Sequence, residues 1–79
     1  MKSIVPALKK RSFSVAGHRT SVALEPEFWK ALEGEARAER IHLVALVARI
    51  DSMRGERPLA SALRVYALLR ALGRGWPSA

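Results

Sequence analysis

The stretch Arg19-Thr20-Ser21-Val22-Ala23-Leu24 carries the side chains with the most specific chemistry to offer. Side chains of an extended strand alternate between two faces, so Thr20, Val22 and Leu24 share one side and Arg19, Ser21 and Ala23 the other. The first set suits burial. The second makes a small basic and hydroxyl-bearing platform, and such a platform matches the edges of nucleic-acid bases. Arginine can bond bidentately to guanine O6 and N7, serine can bond to either partner of a pair, and alanine can touch only a thymine methyl. Just upstream, Lys9, Lys10 and Arg11 add three cations suited to phosphate oxygens. His18, next to Gly17, is either a turn residue or one more polar contact. Each has a plainer reading: the cations as solvated edge charges, and Ser21 as an ordinary exposed hydroxyl.

No arrangement suited to catalysis is visible, and no catalytic residue is assigned. Glu25, Glu27, Glu33, Glu35 and Glu39 lie along one helical segment, where helix-start and surface roles account for them. Neither histidine, His18 or His42, has a second ligand at a metal-like spacing, and no glycine-rich phosphate loop occurs. The expectation is a binding protein with no metal and no cofactor, not an enzyme.

The net charge of +7 is unevenly spread. Residues 1–24 hold Lys2, Lys9, Lys10, Arg11 and Arg19 with no acid, while residues 25–40 set five glutamates against Lys30, Arg37 and Arg40. An acid-free basic segment is the usual footprint of a polyanionic partner. A membrane surface is the weaker choice, because the strongest basic cluster lies outside the helices. The longest apolar run, Leu43 to Ile50, contains Arg49 and falls well short of the ~20 residues needed to span a bilayer. No export signal is read at the N-terminus, since Lys9-Lys10-Arg11 interrupts any apolar region. A soluble cytoplasmic protein, associated with the nucleoid, is expected.

Seventy-nine residues make one small domain with a marginal core. Without cysteine there are neither disulfides nor thiolate metal sites to reinforce it, which leaves association as the stabilising device.

The fold expected is mainly α with one β-strand. Residues 1–10 read as a mobile basic arm. After the strand, Glu25-Pro26-Glu27 opens a first helix: proline suits the first helical position, and the glutamates complement the helix dipole. Phe28, Leu32 and Ala36, with Trp29 beside them, form its apolar stripe. This helix ends near Arg40. A second starts near Leu43 with Leu43, Leu46, Val47 and Ile50 on one side, and Gly55 and Pro58 then break the chain. A third runs from Leu59 to Leu72, and residues 73–79 read as a flexible tail.

A lone half-buried strand leaves backbone N–H and C=O groups without partners and invites pairing with another chain. Pairing with its twin makes an antiparallel two-stranded ribbon about a two-fold axis. Thr20, Val22, Leu24, Phe28, Trp29, Leu32, Leu43, Leu46, Val47 and Ile50 then become the dimer core. The stretch Ser12 to Val15 either lengthens this ribbon or folds back through Gly17-His18 as a hairpin; extension or a free arm is the preferred reading.

The segments Ala16 to Trp29, Leu43 to Asp51 and Leu59 to Val65 closely resemble one bacterial branch of the ribbon-helix-helix DNA-binding superfamily, of the Arc/MetJ type. The resemblance covers roughly residues 11–70, within a domain expected over residues 11–72. It implies an intertwined homodimer whose two-stranded ribbon enters the major groove of double-stranded DNA, with dimers able to pair on longer sites. The reading residues of that superfamily fall here on Arg19, Ser21 and Ala23. Its phosphate anchor at the start of the second helix falls on His42, Leu43 and Val44, with His42 standing where a Ser or Thr cap is usual. Lys9, Lys10, Arg11 and His18 would add phosphate contacts. The implied function is sequence-specific transcriptional regulation, as a repressor. The alternative is a dimeric interaction module or antitoxin whose third helix, residues 59–72, holds a protein partner.

Overall fold

The strand finds its partner inside the same chain. In the computed structural model, which describes residues 7–75, β1 (Lys9–Val15) and β2 (His18–Leu24) form an antiparallel hairpin. Helices α1 (Pro26–Ala38), α2 (Leu43–Met53) and α3 (Leu59–Ala71) follow. Two expectations are therefore corrected. The chain has two strands, not one, and they pair with each other. Lys9 and Lys10 belong to β1 and not to an arm; residues 1–6 and 76–79 lie outside the described residues.

The hairpin closes through Ala16 and Gly17, with Val15 opposite His18. Both central residues have positive φ, 52° and 80°. This is the signature of a type I′ turn, whose twist matches that of the flanking strands. Gly17 takes this conformation freely, whereas a left-handed alanine costs roughly 1–2 kcal/mol. Asparagine tolerates that conformation, and Asn-Gly is the preferred pair for the turn. Ala16→Asn is accordingly expected to stabilise the fold by about 1 kcal/mol. Urea unfolding checks this: the midpoint should rise, and a fall would exclude a turn of this type.

The turn also sets the direction of the backbone groups. Its i to i+3 hydrogen bond makes Val15 and His18 a hydrogen-bonded pair, and such pairs alternate along an antiparallel ladder. Phe13 with Thr20, Arg11 with Val22, and Lys9 with Leu24 continue the bonded set. Ser14 with Arg19, Ser12 with Ser21, and Lys10 with Ala23 are the non-bonded set, where side chains approach more closely. The Ser12 and Ser21 hydroxyls accordingly share a hydrogen bond at 2.8 Å. The N–H and C=O groups of Arg19, Ser21 and Ala23 then point away from β1, along the free edge of β2.

The inward face of the hairpin covers the helices. Phe13, Val15, Val22 and Leu24 are buried there, together with Trp29, Leu32 and Ala36 of α1, Leu46, Val47 and Ile50 of α2, and Ala62, Leu63, Tyr66 and Ala67 of α3. Leu24, Leu32, Leu46, Val47, Ile50 and Leu63 have no exposed surface. The side chains expected to need a partner molecule are thus largely covered within one chain; Thr20, Phe28 and Leu43 are half-buried.

Helix α1 ends in a paired-bond cap: Ile41 N–H donates to the Ala36 carbonyl and Arg40 N–H to that of Arg37. Arg40 occupies the left-handed position, φ 59°, that Gly73 fills at the end of α3, φ 74°. The cap turns the chain so that Ile41 packs on the core.

Candidate nucleic-acid interface

Strand alternation sorts the hairpin's side chains cleanly. Lys10, Ser12 and Ser14 of β1 and Arg19, Ser21 and Ala23 of β2 share the outward face. All are exposed except Ala23, which is half-buried. No carboxylate lies on this face. Two cations, three serine hydroxyls and one methyl side chain make a surface that can donate hydrogen bonds and attract anions.

Five of the seven acids are engaged elsewhere. Glu33 pairs with Arg11 at 2.5 Å, Glu39 with Arg49 at 2.7 Å and Asp51 with Arg54 at 2.6 Å. Glu25 pairs with Arg64 at 2.9 Å and Glu35 with Arg70 at 3.0 Å. The adjacent arginines hold the Glu33, Glu39 and Glu25 carboxyls below the usual glutamate range, chiefly through their hydrogen bonds. These partly exposed pairs contribute little to stability. Their consequence is positional: five arginines are tied to acids, whereas Lys9, Lys10, Arg19 and Lys30 are in no ion pair among the described residues.

Arg11 departs from the simple basic run. It lies on the inward side of β1, opposite Val22, and reaches over α1. Its guanidinium sits 5.1 Å from the centre of the Trp29 ring while bonding Glu33. Trp29 Nε1 donates to the Lys9 carbonyl at 2.7 Å, and its ring meets that of Phe13 at 5.8 Å. Arg11 and Trp29 thus fasten β1 to α1, a role that sequence separations of 20 and 22 residues concealed.

His18 is exposed at the turn end of β2, opposite Val15. The residues of the expected phosphate anchor lie apart from the ribbon, at the start of α2. His42 is its N-cap, in extended conformation and without a side-chain cap bond. The N–H groups of Ala45 and Leu46 are taken by the His42 carbonyl, and the first turn holds no acid. Leu43 and Val44, the first two helical residues, are the ones whose N–H groups have no intrahelical acceptor.

Among the described residues, no group of three or more His, Asp or Glu side chains is placed to hold a metal ion, and no helix is long and apolar enough to cross a membrane. On α3, Leu68 and Leu72 remain 54% and 62% exposed, so the third helix keeps a small apolar strip outside the core.

Comparison with known proteins agrees with this architecture. A family profile described as a ribbon-helix-helix domain matches residues 8–71. A solved structure, an uncharacterized protein from Bordetella pertussis Tohama I, is similar at 34% identity and a TM-score of 0.73. The match covers 86% of this chain and 62% of that one, so this chain spans less than two thirds of the other's length. No curated protein matches significantly.

Proposed function

The chain belongs to the ribbon-helix-helix domain family, and from that premise we propose that it is a sequence-specific DNA-binding regulator, a repressor that lays its ribbon in the major groove. It acts in the cytoplasm on nucleoid DNA, without catalysis, metal or cofactor. The observation that carries this reading is the acid-free outward face of the hairpin, with Lys10, Ser12, Ser14, Arg19, Ser21 and Ala23 on one side. A two-stranded ribbon fits the ~12 Å major groove.

The division of labour follows from chemistry. Arg19 and Ser21 carry the hydrogen-bonding groups for base edges, and Ala23 leaves room or meets a thymine methyl. Lys9, Lys10, His18 and the start of α2 at His42, Leu43 and Val44 face phosphates, which set register and supply most of the affinity.

A homodimer arises naturally at the free edge of β2. Antiparallel pairing of two β2 strands about an axis near Ser21 would satisfy the backbone groups of Arg19, Ser21 and Ala23. In that four-stranded sheet the two central β2 strands make the ribbon for the groove, and the β1 strands lie on either side of it, toward the phosphates. Two such dimers can occupy neighbouring half-sites.

The exposed Leu68 and Leu72 favour one further reading, in which α3 docks a protein partner as in an antitoxin. A gel-shift titration separates the two, comparing DNA upstream of the protein's own gene with random duplex over a salt series. Preferential binding to the upstream DNA is expected, and Lys10→Gln should weaken both DNAs alike while lowering the salt slope by about 0.9 per chain. Absence of any shift at low salt would reject the DNA reading and leave the protein partner.

A further inference from the structure

We propose that Lys30 of α1 joins Lys9 and Lys10 in a preformed seat for the DNA backbone beside the ribbon. The inference rests on the DNA-binding reading and adds a contact from an element outside the ribbon and outside the second helix. A groove runs between the start of β1 and the first turns of α1, lined by Lys9, Lys10, Trp29, Lys30, Glu27 and Glu33, with Arg11 alongside. Arg11 neutralises Glu33 across 2.5 Å, which leaves three lysines against Glu27, a local balance of +2.

The seat is held in shape by packing. The Trp29 indole donates to the Lys9 carbonyl at 2.7 Å, and the Arg11 guanidinium lies over the same ring. This bond fixes the beginning of β1 against the turn of α1 that carries Lys30. The backbone positions that carry the three lysines are therefore set without first ordering a loop. All three are exposed, and none is in an ion pair among the described residues.

The groove also lies where a phosphate has to be. Strands in a sheet are ~4.8 Å apart, so a two-stranded ribbon occupies the floor of a ~12 Å groove, and the phosphates of its walls stand beyond its edges, on the side where β1 lies. Lys10 belongs both to the outward face and to this groove, so the seat is continuous with the platform on its β1 side. The ligand is a phosphodiester of duplex DNA. Ammonium groups contact it as point charges, without reading sequence.

The test measures the affinity of the full chain for upstream and random duplexes between 50 and 200 mM salt, a range suited to counterion release. Three proteins are compared: wild type, Lys30→Gln, and the control Arg74→Gln, which removes an exposed charge beyond α3. Lys30→Gln should weaken both duplexes by the same factor, on the order of tenfold per chain near 0.1 M salt, and lower the salt slope by about 0.9 per chain. Lys30→Arg should restore both, and Arg74→Gln should leave the slope unchanged. If wild type binds duplex but Lys30→Gln keeps its slope, or matches Arg74→Gln, the seat is refuted while the DNA reading stands. If wild type binds no duplex at any salt, the DNA reading itself fails, and the seat with it.

Discussion

Leu32→Ala should cost the fold about 2–5 kcal/mol, the range for a fully buried leucine whose loss leaves a cavity. Leu32 sits mid-way along α1 with no exposed surface, in the cluster that joins the hairpin to all three helices. A domain of this length has roughly 4–12 kcal/mol of total stability, so the variant should lose a large fraction of it. Urea unfolding followed by circular dichroism measures the effect, with the midpoint falling sharply and the slope little changed. A midpoint within experimental error of wild type would mean that the core is not closed as described. The same experiment at several protein concentrations reports on the dimer. A core closed within one chain predicts that folding survives dilution, with association adding stability by mass action at higher concentration.

Arg19→Ala should lower affinity for the specific site by about 1–3 kcal/mol per chain, a factor of roughly 5 to 150, and relax sequence preference at the contacted base. Arg19 is exposed on the outward face, in no ion pair, opposite Ser14 and next to the turn. Its removal takes away a fork of donors matched to guanine and leaves the core untouched. A two-fold complex loses two such contacts, so the measured effect per dimer should approach twice the single value. Random duplex should weaken less. Equal weakening of both DNAs would assign Arg19 to the phosphates and leave Ser21 to carry base selectivity.

Periodicity made the helices and the faces of β2 legible. Pro26 at the start of α1, the Leu43–Ile50 stripe and the Gly55–Pro58 break placed three helices close to where they lie. The alternation of Arg19, Ser21 and Ala23 with Thr20, Val22 and Leu24 is the alternation observed in exposure. The other half of the ribbon was hidden for identifiable reasons. Only Phe13 and Val15 mark β1 as half-buried, because the inward positions nearer its start are filled by Lys9 and Arg11, which lie over α1 and not over the core. Its turn uses Ala16-Gly17, without the Asn-Gly pair that announces a type I′ hairpin, so the sequence points to a bend one residue later, at Gly17-His18.

The consequence for function is specific. With β1 paired to β2, the outward platform gains Lys10, Ser12 and Ser14 beside the three residues that the alternation of β2 had singled out. The arginine–glutamate pairs, whose partners lie up to 39 residues apart, could not be assigned from spacing, yet they decide which cations remain available.

Amide chemical shifts of the labelled protein, followed while a duplex carrying its upstream sequence is added, address the central assignment residue by residue. The changes should concentrate at Lys10, Ser12, Ser14, Arg19, Ser21 and Ala23, with the amides of Leu68 and Leu72 unmoved. Perturbations centred on α3, with the ribbon amides unchanged at saturating DNA, would contradict it.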